Sequence, residues 1–262
     1  MTTYAAAAAA HEEHAAAGAL RCRQILPRRI AILGSNGGVG TTTTAVLLAS
    51  VLAAARADQT LVLTLHSDAS DVALRLSVPH APSVTEVLAG MRRQGQIPPT
   101  PVTSTGLRVL AAPPPGSAAP ESGLAALLDV AASGHASVVV DAGVASRIGD
   151  LATVAELFDT VVLVGRTTAD SIAATKAALA RWHSQLPPDS TTRLILVPVR
   201  TPALSCSPGD DPVGRLLPDR PSTHVLPHDA ELGRGRPIEL SLISGPSLTA
   251  LLLLGADIMG HR

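Results

Sequence analysis

The chain is poor in aromatic residues: Tyr4, Phe158 and Trp182 are the whole set in 262 residues. Base-stacking platforms for single-stranded nucleic acid need more rings than that, which excludes this class. Lysine is scarcer still. Of 20 basic residues, all but Lys176 are arginine, so chemistry that requires a lysine has one candidate. The net charge of −1 provides no basic field for DNA, and sequence-specific nucleic-acid binding is not expected. Cys22 and Cys206 have no CxxC spacing and no histidine cluster, which argues against a metal centre or a disulfide scaffold and suits a reducing compartment. No apolar run reaches the ~18 residues of a membrane span. What is abundant is small and aliphatic: hydrophobic residues make up 46%, enough for a large core of Ala, Val, Leu and Ile.

The first segment, MTTYAAAAAAHEEHAAAGALRCRQ, resembles a signal peptide only superficially, because His11, Glu12, Glu13 and His14 interrupt the alanines and no basic region precedes them. Residues 1–28 read as a flexible Ala-rich tail with little to bury, dispensable for folding; residues 29–262 read as one domain. From Arg29 onward, short apolar runs alternate with helical patterns. Strands are predicted over 29–34, 60–65, 107–111, 137–141, 160–164, 194–199 and 223–226. Helices are predicted over 42–57, 71–78, 83–93, 124–132, 148–156, 171–183 and 247–259. Ser83 with Glu86 forms a capping-box signature. The stretch 201–221 is rich in Pro, Gly and Asp and reads as an exposed loop. Continuous apolar strands between helices predict an α/β, doubly wound, mainly parallel sheet with helices on both faces.

The strongest motif lies between the first strand and the first long helix: Gly34-Ser-Asn-Gly-Gly-Val-Gly-Thr-Thr-Thr. Gly37, Gly38 and Gly40 allow the backbone to curl so that N–H groups converge on one anion, and the helix dipole adds roughly +0.5 charge. Thr42 stands where a P-loop hydroxyl binds Mg²⁺, and Thr43 where a second hydroxyl reaches the α-phosphate. Thr41 stands where GxxxxGK[ST] has its lysine, so a Gly-rich turn without a ligand is the competing reading.

The segment Asn36-Gly37-Gly38-Val39-Gly40-Thr41-Thr42-Thr43 resembles KGGVGKTT of the ParA/MinD group of P-loop ATPases, with both departures at lysine. The resemblance continues in order along the chain. Val138-Val139-Val140-Asp141 matches the second acidic motif, and Val225-Leu226-Pro227-His228-Asp229, followed by Gly235-Arg236-Pro237, matches the adenine-side pattern. Where the family has DxD, this chain has Thr64-Leu65-His66, followed by the expected Asp71-Val-Ala-Leu-Arg-Leu. Within the group the chain looks most like CpaE/TadZ-type pilus-localisation proteins and MinD-like accessory proteins of type VII secretion.

The resemblance implies a P-loop fold, ATP or ADP with Mg²⁺, and a homodimer. It implies nucleotide contacts from Asn36, Gly37, Gly38, Val39, Gly40, Thr41, Thr42, Thr43, Pro227 and Asp229, with Thr42 and Asp141 at the metal. It also implies that the departures are functional. The position of Asn36 holds the lysine that reaches the partner's phosphates, that of Thr41 the in-cis lysine, and that of Thr64 the carboxylate ordering the attacking water. The expectation is a degenerate member that binds nucleotide weakly or not at all, hydrolyses little, and serves as a cytoplasmic positioning or regulatory scaffold. It would reach a secretion, division or cell-pole machine, or the membrane periphery, through a protein partner. The alternative is a working partitioning ATPase in which arginine or backbone groups replace the lysines, with Arg200, Arg234 and Arg236 as the arginines considered, each otherwise reading as an exposed charge. A third reading, an enzyme using the loop for another phosphorylated ligand, has no support beyond the loop.

Several residues keep plainer readings beside these. Lys176 reads as a solvated surface residue, His66 as a packed or exposed histidine, and Asp141 and Asp229 as helix caps. The last helix reads as core packing rather than a membrane anchor, since Arg262 is its one basic residue. The cluster Arg21, Arg23, Arg28 and Arg29 reads as a solvated lead-in to the first strand.

Overall fold

The computed structural model describes residues 13–21, 26–56, 59–66, 71–94, 99–116, 123–202 and 221–260. Helix α1 covers residues 13–21. The alternation then runs β1 (Arg28–Gly34), α2 (Thr41–Ala55), β2 (Thr60–Thr64), α3 (Val72–Arg75), α4 (Val84–Gln94), β3 (Leu107–Leu110), α5 (Leu124–Gly134) and β4 (Ser137–Val144). A 3-10 turn (Ala145–Arg147) leads to α6 (Leu151–Leu157), β5 (Thr160–Arg166), α7 (Ala169–Gln185), β6 (Arg193–Val199) and β7 (Ser222–Thr223). The chain closes with α8 (Ala230–Gly233) and α9 (Gly245–Gly260).

The seven strands form one sheet in the order β3-β2-β4-β1-β5-β6-β7, every ladder parallel. Alternate residues of each strand supply opposite faces. Ile30, Ile32, Val62, Val139 and Val162 pack with α2 and α9, whereas Ala31, Leu33, Leu61, Val138, Val140 and Val161 pack with α4 to α7. Helix α2 is buried along most of its length, which explains why its sequence is apolar without a polar stripe. Because β1 lies between β4 and β5, the chain reverses its winding there. The crevice outside the carboxyl ends of such strands is where open α/β sheets bind ligands.

Local differences from the predicted elements have local causes. Strand β4 continues past Asp141 to Val144 through a register shift opposite β1, with Gly143 at φ +80°. The edge strand β7 is shorter than predicted. Leu226 still bridges Val199, and Pro227, which lacks an N–H, follows it. The capping box is formed: Ser83 N–H donates to Glu86 Oε2 at 2.8 Å and Glu86 N–H to Ser83 Oγ at 3.3 Å. Most of the expected 201–221 loop lies outside the described residues.

The tail reading requires a correction over residues 13–21. Ala16 and Leu20 are buried, and Leu20 joins the α2/α9 core, its methyls beside Gly255. Arg56 Nη1 donates to the Leu20 carbonyl at 2.8 Å, and Thr249 Oγ1 donates to Glu13 Oε2 at 3.3 Å. A short Ala-rich helix is marginal alone, and here the domain supplies its packing partner. The expected cap role of Asp229 is met: its side chain accepts from Glu231 N–H at the start of α8.

Candidate functional site

The loop between β1 and α2 sits at the carboxyl edge of the sheet. It is tied down where it leaves β1, Ser35 N–H donating to the Val164 carbonyl at 2.8 Å. Gly38 and Gly40 take φ +74° and +101°, a region that a side chain disfavours, and nothing lies within 4 Å of a Cβ built on either. Gly40 is also the N-cap of α2, so no cap side chain satisfies the first-turn N–H groups, and no acidic residue stands in that turn. Gly34 has to be glycine for a different reason: a Cβ there would collide with Thr41 Oγ1.

Beneath the loop, Asp141 is fully buried. Thr42 Oγ1 donates to its Oδ2 at 2.5 Å, Gly143 N–H donates to its Oδ1 at 3.2 Å, and His66 Nε2 lies 3.1 Å from the same Oδ1. The bare backbone of Gly143 makes room for His66: a Cβ there would lie 3.0 Å from the imidazole Cδ2. His66 therefore touches the Asp141 carboxylate rather than packing elsewhere, and Thr64 pairs with Asp141 in the β2/β4 register. Thr64 Oγ1 is buried without a hydrogen-bond partner.

Asn36 is engaged within its own chain. Its Oδ1 accepts from Ser35 Oγ and from Ser171 Oγ, each at 2.9 Å. Ser171 Oγ in turn accepts from Arg166 N–H at 2.8 Å, which joins the loop to the end of β5 and the start of α7. Two clefts flank this arrangement. A phosphate-side cleft of about 300 Å³ is lined by Asn36, Gly37, Gly38 and Gly40 to Thr43, with His66, Arg147 and Arg166 around them. A base-side cleft of about 440 Å³ is lined by Val39, Gly40, Thr43, Thr44, Arg166, Arg200, Pro227 and Asp229, among others. Gly40, Thr43 and Arg166 belong to both.

All the sequence-predicted residues thus gather at one edge, with Asp141 behind Thr42. Asp229 uses both carboxylate oxygens locally, accepting from Glu231 N–H at 3.0 Å and Ser244 N–H at 2.9 Å. Burial pushes its pKa up, but the bonds from Ser244, Ser247 and Glu231 outweigh burial and hold it below the usual carboxylate range. Of the arginines considered as substitutes, Arg200 lines the base-side cleft and Arg234 pairs with Glu231 at 2.6 Å. Arg236 contributes its carbonyl to Arg75 Nη1 at 2.7 Å. Lys176 is exposed on α7, away from both clefts.

The sequence reading passed over Arg147, Arg166, Arg75 and Ser171. Arg147 and Arg166 follow or end parallel strands, the signal that could have marked them as lying at the carboxyl edge. Arg75 Nη2 lies 3.5 Å from Thr43 Oγ1, and burial lowers its pKa below the ordinary arginine value. Ser171, near the start of α7, carried no signal of its own.

The donor set fits Mg²⁺ with a phosphorylated ligand. Thr42 and Asp141 offer hard oxygens 2.5 Å apart, and the glycine cradle leaves room above them. Thr42 and Asp141 would hold the ion, which would neutralise phosphate charge when bound. Among the described residues no group of three or more His, Cys, Asp or Glu could hold a metal by itself.

The fold has solved counterparts. A chain of the MinC:MinD cell division protein complex of Aquifex aeolicus superposes with a TM-score of 0.68 over 90% of this chain and 97% of that one, at 17% identity. The fold is that of the ParA and MinD ATPases. A ParA family ATPase from Chlorobium tepidum TLS gives a TM-score of 0.65 at 17% identity, covering 90% and 98% of the two chains. MinD from Pyrococcus horikoshii OT3, complexed with Mg-ADP, gives 0.63 at 16% identity, covering 88% and 95%. Neither a protein-family model nor a curated protein sequence matches the chain. Identities this low establish the ParA/MinD fold alone. No helix among the described residues is long and apolar enough to cross a membrane.

Proposed function

We infer that the chain is a degenerate ParA/MinD-like nucleotide-binding protein that hydrolyses little or no ATP and acts as a positioning or regulatory scaffold. The observation that carries this reading is Asn36. It stands where the family lysine crosses to a partner's phosphate, and here its side-chain oxygen accepts from Ser35 and Ser171 of its own chain. Thr41 in place of the in-cis lysine and Thr64 in place of the water-side carboxylate support the same conclusion. Removal of one transition-state charge donor typically lowers rate by about 10²–10³, and two such groups are gone. The glycine cradle and the Thr42–Asp141 pair support retained binding of ATP or ADP with Mg²⁺.

On this reading the protein forms a homodimer held by contacts other than nucleotide. It serves a localisation, division or secretion machine, of the pilus-localisation or type VII kind, and reaches a pole or membrane through a protein partner. A second reading, a working partitioning ATPase, is favoured by the intact Thr42–Asp141 pair. Phosphate release with Mg-ATP separates the two, with the Thr42→Ala, Asp141→Ala double variant as blank. Release equal to the blank, with nucleotide bound, supports the scaffold; turnover clearly above the blank overturns it.

A further inference from the structure

We propose that Arg166 and Arg147 supply, from within the same chain, the phosphate-side positive charge that the loop lacks, and that their ligand is a nucleoside triphosphate lying across both clefts. This inference rests on the nucleotide reading above and assigns the groups that hold the polyphosphate.

The geometry brings the two arginines in from both sides. Strands β4 and β5 flank β1, and the glycine loop leaves the end of β1. Arg166 is the last residue of β5, and Arg147 closes the 3-10 turn that follows β4. Both side chains are exposed, and both line the phosphate-side cleft with Asn36, Gly37, Gly38 and Thr41 to Thr43. Among the described residues that lining includes no aspartate or glutamate, and Asp141 lies buried behind Thr42. The two guanidiniums add positive charge to the N–H groups and hydroxyls that the loop itself offers.

Arg166 has a second property. It is shared by the phosphate-side and base-side clefts, as are Gly40 and Thr43, so the clefts meet at these residues. A ligand with a charged chain and a flat ring could occupy both, and a free phosphate only one. Its backbone is held in place, Arg166 N–H donating to Ser171 Oγ, so the side chain starts from a fixed point.

Arginine suits the task. Its planar fork makes paired N–H···O bonds to phosphate, and it remains charged at any working pH. Two guanidiniums on one polyphosphate favour three phosphates over one. They also act in cis, so loading does not wait for a second subunit, in contrast to a lysine that reads the partner's phosphate.

Isothermal titration with Mg-ATP and with AMP tests this on the full chain. Wild type is expected to prefer ATP. Arg166→Gln and Arg147→Gln should each weaken ATP binding by about one decade or more, and the double variant by about two, the loss expected for charge-assisted hydrogen bonds. Lys176→Gln, which removes an equal charge far from either cleft, should change affinity less than about twofold. The paired Arg166→Lys, Arg147→Lys variant keeps both charges and should remain within about tenfold of wild type. Circular dichroism confirms that each variant is folded, and the lysine pair decides the matter if a glutamine variant is not. ATP binding unchanged in the double glutamine variant would overturn the inference and leave the nucleotide reading standing. A lysine pair as weak as the glutamine pair would overturn it as well. A wild type that binds no Mg-ATP at millimolar concentration would overturn both.

Discussion

Thr41 stands where a lysine-bearing P-loop has its in-cis lysine. The residue is half-buried beside Gly34 at the mouth of the phosphate-side cleft. Restoring lysine there returns a charge-assisted contact worth about 1.5–3 kcal/mol. Thr41→Lys should therefore tighten Mg-ATP binding by about one to two decades in calorimetric titration. Equal affinities would show that the loop does not hold phosphate in the P-loop manner. Asn36 presents the opposite case. Its oxygen is bonded at home, so Asn36→Lys would first have to give up the Ser35 and Ser171 contacts.

Two elements stand or fall on contacts that local sequence does not announce. Helix α1 is Ala-rich and short, and Leu20 anchors it between α2 and α9. Leu20→Ala should lower unfolding free energy by about 2–5 kcal/mol, the range for a fully buried leucine, in a urea titration. A loss within about 0.5 kcal/mol, the range of surface substitutions, would show that α1 is ornamental to the fold. Helix α9 is tied to the sheet edge by Asp257. Its carboxylate meets Arg193 Nη2 at 2.7 Å, His224 Nε2 at 2.7 Å and Ser222 Oγ at 2.9 Å.

Burial raises the Asp257 pKa, and the bonds from His224, Arg193 and Ser222 outweigh burial and set it below the usual value. A folded pKa below the unfolded one means stability that is present above about pH 4 and lost as pH falls through the folded value. The stability gap between wild type and Asp257→Asn, followed by urea midpoints, should therefore shrink below about pH 4. A gap that stays constant into strong acid would remove the carboxylate from this role.

For the molecule as a whole, the test is association. The resemblance implies that a lysine at the place of Asn36 links two subunits through nucleotide. Here that residue is neutral, short and bonded within its own chain. Saturating Mg-ATP should change the dimer dissociation constant by less than about tenfold, or 1.4 kcal/mol, in sedimentation with and without nucleotide. A clean monomer-to-dimer switch on adding ATP would overturn the scaffold reading and favour the working partitioning ATPase.

Much of this was legible from local pattern. The glycine loop, the apolar strands and the Ser83–Glu86 cap are short-range features whose physics acts over a few residues, so the parallel α/β fold and the Thr42 end of the loop were legible in the chain, whereas Asp141 was singled out only by resemblance. What tertiary structure decided was proximity between residues far apart in sequence. His66 meets Asp141 because β2 and β4 pair in register. Asn36 meets Ser171 across 135 positions because β5 lies beside β1. Arg147 and Arg166 share a cleft because the strands that precede or carry them flank the loop on both sides. Leu20 is buried because α2 and α9 leave a surface that a marginal helix can cover. Backbone propensity and hydrophobic period are written along the chain, whereas which charges and hydroxyls share a pocket depends on strand order, which no local pattern encodes.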